Sequence, residues 1–306
     1  MRDLFSPTTT DAKGDRLLIS MSGGRTSAYM THQILTRFRA NWREIVVVFA
    51  NTGQENEATL EFVNQCDEQF GFGTVWVEAV VHDGKGNGTT HRVVDFKTAS
   101  RNGEPFEQVI RKYGISNMKH PHCTRELKLR PIENYAASLG WGRNYATAIG
   151  IRPDEMRRVN ANATQRHIVY PLIDWFYADK QDVNDWWSEQ SFNLKLEEHQ
   201  GNCRWCWKKS FSKHARLLKE DPLAYDFPDR MEKEYGYVGP DQAPDEAFPR
   251  TFFRGNRSTK ALRIFCAELD APKAKMDSDD NSGCGESCEL YSTDPNTIPL
   301  FDEATA

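Results

Sequence analysis

The sequence predicts an α/β fold, a mostly parallel sheet flanked by helices, followed by a cysteine-containing C-terminal extension. Three observations carry that expectation. RLLISM (16–21) and EIVVVFA (44–50) are short, continuous apolar runs rich in Ile and Val, which suit strands buried on both faces of a parallel sheet. Between them Met30, Ile34 and Phe38 recur at four-residue spacing, with Leu35 alongside, which predicts an amphipathic helix over 26–38. A helix over 58–70 and a strand at TVWVEAVV (74–81) extend the alternation of strand and helix that marks a parallel sheet.

The remaining elements follow in order. Residues 82–104 are rich in Gly, Asn and charge and read as a mobile loop. Helices are expected over 107–113 and 124–139, and NYATAIGI (144–151) reads as a fourth strand ending in the loop IRPDEMRR. YPLID (170–174) precedes a helix rich in Trp and acidic residues, and a basic helix follows GNCRWCW over 208–219. Composition then shifts to Pro, acidic and aromatic residues. The expected divisions are an N-terminal tail (1–15), a first domain (16–178), a helical extension (179–270) and an irregular acidic tail (271–306).

The 306 residues are 39% hydrophobic, enough for a sizeable core, and the net charge of −5 provides no global basic field for a nucleic acid. No run approaches the roughly 18 apolar residues of a membrane span, and MRDLFSPTTTDAKGD lacks the apolar stretch of a secretory leader. The expectation is a cytoplasmic protein with no membrane partner. In that setting the seven cysteines do not suggest a disulfide framework. The close pairs Cys203/Cys206 and Cys284/Cys288 call for a metal or redox explanation.

The stretch LLISMSGGRTS (17–27) carries the first functional signal. A buried strand that ends in Ser22-Gly23-Gly24 and feeds a helix N-terminus is a phosphate-binding geometry: glycines let the backbone approach an anion, and the helix presents unpaired N–H groups. Ser22, Thr26 and Ser27 add hydroxyls and Arg25 adds charge. A plain strand-to-helix turn capped by Thr26 is the alternative. The motif is not the Walker pattern.

SGGRTS resembles the SGGxDS PP-loop of the adenine-nucleotide α-hydrolase group, which includes ATP pyrophosphatases and phosphoadenosine phosphosulfate (PAPS) reductases. Three further stretches arrive in that family's order: FANTGQENEATLEFV (49–63), HCTRELKLRPIENY (122–135) and AIGIRPDEMRR (148–158). Together they span about residues 16–175, and the chain is identified on them as similar to the PAPS reductase family. The resemblance implies a Rossmann-like sheet and an adenine nucleotide, ATP or PAPS, as ligand. The chain departs from the pattern at Thr26, where the family carries an Asp associated with catalytic magnesium. That departure puts classical ATP cleavage, and magnesium with it, in question.

By the same resemblance, Phe49, Asn51 and Thr52 lie along the adenine and ribose, and Gly150 and Arg152 close the site from the far side. Glu55 meets a metal or the ribose, or simply favours the dipole of the following helix. Arg125, Lys128, Arg152, Arg157 and Arg158 are the candidate anion grips, because a guanidinium fork suits phosphate or sulfate. Asp154 and Glu155 offer Arg152 a structural ion-pair set instead. His120 and His122 read as loop-positioning groups.

Cys203-Arg-Trp-Cys206 by itself allows a redox pair, half a zinc site or half an iron–sulfur site. Family members often carry a 4Fe–4S cluster, and Cys123, Cys203 and Cys206 match its positions, with Cys284, Cys288 or Cys266 left open as the fourth ligand. Zinc on the same thiolates is the competing reading. A third assigns Cys284, in GCGES, as the nucleophile of a thiol-dependent reductase. Cys66 and Cys266 sit in apolar contexts expected of core cysteines. Trp175, Trp186, Trp187, Trp205 and Trp207 crowd the CxxC in sequence and read as an apolar jacket around a cluster, or else as a stacking surface for nucleic acid.

The expected function is therefore an adenine-nucleotide enzyme, iron–sulfur in type. It either transfers sulfur or adenylates a nucleic-acid or small acceptor with ATP, with a sulfur donor as a further partner. A thiol-dependent PAPS or APS reductase, and a nucleotide-binding protein without turnover, are the alternatives.

Overall fold

The computed structural model describes residues 15–84, 86–239 and 248–268. Its sheet has six strands: β1 (Arg16–Ser20), β2 (Glu44–Asn51), β3 (Val75–Val81), β4 (Thr89–Val94), β5 (Ala146–Ile149) and β6 (Ile168–Val169), in the order β4-β3-β2-β1-β5-β6. β1 is parallel to both β2 and β5, β2 to β3 and β5 to β6, while β4 runs antiparallel along β3. The α/β class is as the apolar runs predict. Leu17, Leu18 and Ile19 are fully buried, as strands covered on both faces must be.

Residues 82–104 differ from the expectation of a mobile loop. They contain β4, which pairs with the whole of β3 from Trp76↔Val94 to Val81↔Thr89. The strand was hidden because it is an edge: Arg92 and Val93, on opposite faces, are both exposed, so the apolar signal is diluted. The two-residue β6 was too short to be seen in the sequence.

The helices are α1 (Arg25–Gln33), α2 (Glu57–Phe70), α3 (Glu104–Tyr113), α4 (Arg130–Ser138), α5 (Pro171–Asp174), α6 (Lys180–Ser188), α7 (Phe211–Glu220), α8 (Asp226–Tyr235) and α9 (Thr259–Glu268). Two expected helices are not uniform. Ile34–Phe38 continues α1 as a wider π turn, and Arg125–Leu129 forms a π turn leading into α4. Asn56 caps α2 through its side chain, which accepts from the Ala58 N–H, and Gly71 ends that helix in the left-handed region. Ser210 caps α7 in the same manner.

One face of the sheet buries β1 and β2 side chains against α1 and α2, and α6 packs on α1 to add Val183 and Trp187 to that core. A second core lies under α3, α7 and α9, where Phe106, Trp205, Trp207 and Phe252 meet. Trp175, Trp186 and Trp187 therefore do not jacket the CxxC. They stack on Trp42, Tyr29 and Phe62 in the first core, and only Trp205 and Trp207 belong beside Cys203 and Cys206. Sequence proximity misled because the chain crosses between cores after α6.

Topology fixes where a site can form. From β1 the chain winds outward through β2 and β3, then returns to place β5 on the other side of β1. The carboxyl ends of β1 and β5 thus flank the switch point of the sheet, where open α/β folds leave a crevice.

Candidate functional site

The loop after β1 opens this crevice. Gly23 has φ +82°, and a Cβ there would stand 2.5 Å from Thr59 Cγ2 and 3.2 Å from Phe49 Cε2, so glycine is required by conformation and by space. Ser27 closes the loop: its hydroxyl accepts from the Ser22 N–H at 3.1 Å and from the Ser22 hydroxyl at 2.9 Å, and donates to the Gly24 carbonyl. Gly24 is the N-cap of α1 and no side chain caps that end. The unpaired N–H groups of its first turn are therefore left to other acceptors. Thr26 is not the cap. Its buried hydroxyl accepts from Arg152 Nη1 at 2.8 Å.

Arg152 starts the loop after β5 and pairs with Asp154 at 3.0 Å, with Glu155 at 3.6 Å from the same guanidinium. Arg158 bonds the other Glu155 oxygen. The RPDE stretch is thus an ion-pair set that also touches the glycine loop through Thr26. Gly150 backs directly on that loop, since a Cβ would lie 3.1 Å from Ser27 Cα.

Arg25, expected to add charge to the glycine loop, also fastens a distant segment. Its Nε donates to Asn193 Oδ1 at 2.8 Å, and its terminal nitrogens donate to the carbonyls of Leu194 and Leu196. The guanidinium fastens the segment after α6 beside the glycine loop. Together Ser22, Gly23, Arg25, Glu55, Lys128 and Asn202 face an open pocket.

The β2 end supplies the second part. Asn51 is fully buried, and its amide donates to Glu78 at 2.6 Å and to the Ser100 carbonyl at 2.8 Å, so its side chain is committed to the fold. Phe49 is likewise buried, edge-on to Trp76. Glu55 folds back on its own turn, accepting from the Thr52 N–H and hydroxyl, each at 2.9 Å, and from the Gln54 N–H. Thr52 Oγ1 also lies 3.5 Å from Cys203 Sγ. The CxxC turn docks on this same loop, with the Arg204 N–H on the Gln54 carbonyl and Trp205 Nε1 on the Gln54 side chain.

Cys123, Cys203 and Cys206 line a second cleft, walled by Phe106, Leu127, Trp205 and Trp207. Cys206 is buried, whereas Cys123 and Cys203 are half-buried. Among the described residues, no three His, Cys, Asp or Glu side chains converge as ligands of a single metal ion. Lys128 and Asn202 line both cavities, so the two adjoin. Arg125 lines neither and pairs with Glu126 at 2.7 Å. His122 bonds the Gly114 carbonyl at 3.0 Å, and burial pushes its pKa down to about 4, which keeps it a neutral loop anchor. Cys66 and Cys266 are buried in the two cores, and burial raises both thiols. Cys284 and Cys288 lie outside the described residues.

Sequence reasoning missed Gln54 as the bridge between loops, Asn202 at the shared wall, and Glu78. Only Glu78 left a signal, as a lone carboxylate inside an apolar strand.

Fold and site together define an α/β protein whose glycine loop and thiol-lined cleft adjoin beyond the carboxyl ends of β1 and β2. The chain belongs to the family of the uncharacterized nin region protein ORF290 of Escherichia phage lambda, with 30% identity over 283 residues, 90% of this chain and 94% of that protein. No family model matches the sequence, and no solved structure matches the fold. Among the described residues no helix is long and apolar enough to cross a membrane.

Proposed function

We propose that this protein is an adenine-nucleotide enzyme of the PAPS reductase type, with a PP-loop at Ser22–Ser27 and a thiolate-bound iron–sulfur centre on Cys123, Cys203 and Cys206. The observation that carries the reading is the junction of the two cavities at Lys128 and Asn202. A glycine loop at a helix N-terminus recognises phosphate. An apolar cleft lined by three thiols suits a soft metal centre, and a polynuclear cluster spans more space than one ion, whose thiolates must lie about 3.8 Å apart by the roughly 2.3 Å zinc–sulfur bond. When bound, such a centre supplies electrons or handles sulfur.

The chain's own residues then have defined tasks. The first turn of α1 and Ser22 bind phosphate, Lys128 neutralises charge between the cavities, and Trp205 and Trp207 exclude water from the thiols. The reaction class is sulfur transfer or ATP-dependent adenylation of a nucleic-acid or small acceptor. One observation favours a second reading, thiol-dependent reduction of a sulfonucleotide: the Thr26 position is engaged by Arg152 and offers no carboxylate to magnesium.

Anaerobic purification with iron and acid-labile sulfide assays tests the proposal, alongside ATP and PAPS binding. About four irons per chain, lost in Cys203→Ser, is the expected result. Iron-free protein that binds PAPS and carries a reactive Cys284 would establish the second reading instead. Nucleotide binding without turnover of any acceptor would leave a binding protein.

A further inference from the structure

The segment Asn193–Asn202 walls the glycine-loop pocket with Leu194, Leu196, Glu197, Gly201 and Asn202, and runs directly into Cys203. Among the described residues, 191–196 make no backbone–backbone hydrogen bond. Over residues 193–196 the strap is held by the buried Leu194 side chain, by Leu196 packed on the first core, by Asn193 Nδ2 on the Trp187 carbonyl at 3.4 Å, and by Arg25, which bonds Asn193, Leu194 and Leu196. Glu197, Glu198 and His199 are fastened separately, through Arg216, Lys180 with Lys213, and Glu220. Arg25 is also the first residue of α1, beside Gly23 and Gly24, and faces the same pocket.

We propose that Arg25 is a latch: a polyphosphate entering the glycine-loop pocket draws its guanidinium off the strap carbonyls, and the freed residues 193–196 open the wall of that pocket, which adjoins the thiol cleft at Asn202. This rests on the reading that the pocket receives the phosphates of a nucleotide. The exchange follows from charge. The strap acceptors are neutral carbonyls, whereas a phosphate offers the guanidinium an anion in bidentate geometry, which adds an ion pair to the hydrogen bonds the cation makes in either state. The carbonyls of Leu194 and Leu196 then turn to water, which requires local opening. Arg25 is thus a positioning residue, acting on the pocket wall through the strap.

Lys195 is exposed at the centre of the strap and provides the readout. Trypsin cleavage after Lys195, followed by mass spectrometry, tracks the open population. ATP binding to the same protein is measured independently by equilibrium dialysis. In the unmodified chain, ATP with magnesium and inorganic tripolyphosphate should each speed cleavage at Lys195 by about tenfold, the scale of one lost charge-assisted hydrogen bond. Arg25→Ala should be cut at the fast rate without ligand and show no further response. Arg25→Lys, which keeps the charge but not the fork, should lie between. If ATP binds and cleavage at Lys195 is unchanged or slowed, the latch is wrong and the phosphate pocket stands. If ATP does not bind, the nucleotide reading fails and the latch fails with it. Should Arg25→Ala not fold, Arg25→Lys decides: a ligand-free rate equal to that of the unmodified chain overturns the proposal.

Discussion

The Thr26 hydroxyl accepts a hydrogen bond from Arg152 Nη1 at 2.8 Å, tying the first turn of α1 to the loop after β5. Both residues are buried, at 4% and 9% exposure, so the bond is shielded from competing water. It joins the loops that follow β1 and β5, the paired strands that flank the switch point.

Breaking this bond should cost stability from either side. Thr26→Val leaves one guanidinium nitrogen short of an acceptor and should cost about 1–2 kcal/mol. Arg152→Ala also takes one of two partners from Glu155, which keeps Arg158, and the guanidinium from the part-exposed Asp154, and a loss of roughly 2 kcal/mol is expected. Urea unfolding of the two single variants and the double variant should give a coupling energy of about 1 kcal/mol. A coupling near zero would mean that the bond does not join the two loops in solution.

Gly23 and Gly71 separate conformation from space. Both have positive φ, +82° and +66°, but a Cβ at Gly71 meets nothing within 4 Å while one at Gly23 strikes Thr59. Gly71→Ala should therefore cost about 1 kcal/mol from backbone strain alone. Gly23→Ala should cost roughly 2–4 kcal/mol, because Thr59 on α2 must move as well. Thermal unfolding of the two variants checks the difference, and equal losses would show that the glycine loop relaxes freely.

How much of this was legible in the sequence depends on which physical signal each feature leaves. Parallel strands announce themselves through continuous burial, so β1, β2, β3 and β5 were readable within a residue or two at most ends. An edge strand such as β4 is exposed at both Arg92 and Val93, and its Thr-Thr-His-Arg start masks it. Motif residues were readable as types but not as roles. Arg25 reads only as added charge on the glycine loop until its distance along the chain from Leu194 is closed by folding, and Asn51 reads as a ribose contact until Glu78 is placed beside it. The meeting of Cys123 with the CxxC is a long-range contact that spacing alone does not encode, and in the sequence it rested on family resemblance.

His214 gives a pH dependence whose direction is fixed. It is fully enclosed, with Nδ1 2.7 Å from the Tyr225 hydroxyl, and burial, aided by the Lys209 and Arg254 charges, pushes its pKa from 6.5 down to about 3. Between those values the unfolded chain binds a proton that the folded chain excludes. Stability should thus be unaffected by this group above about pH 6.5 and fall as pH drops toward 3, by about 2 kcal/mol at pH 5. His214→Asn keeps an acceptor for Tyr225 and removes the titration. The difference in urea midpoint between pH 7 and pH 5 should shrink accordingly, and an identical difference in both proteins would place the acid sensitivity elsewhere.

Asn51 and Glu78 decide whether the end of β2 is scaffold or contact surface. The Glu78 carboxylate is fully buried and accepts from Asn51 Nδ2, from the Ser100 N–H and hydroxyl, and from Arg92 at 2.6 Å. Each donor removed leaves a buried acceptor short of a partner. Asn51→Ala should therefore destabilise the protein by about 1–3 kcal/mol, and Glu78→Ala, which removes the shared acceptor of Asn51, Ser100 and Arg92, by roughly 2–4 kcal/mol. If Asn51 instead served only a ligand, Asn51→Ala would leave the unfolding midpoint unchanged and weaken ATP binding alone. Because its amide is spent on Glu78 and Ser100, the expected loss appears first in the midpoint, with any loss of binding following from displacement of the Thr52–Glu55 turn.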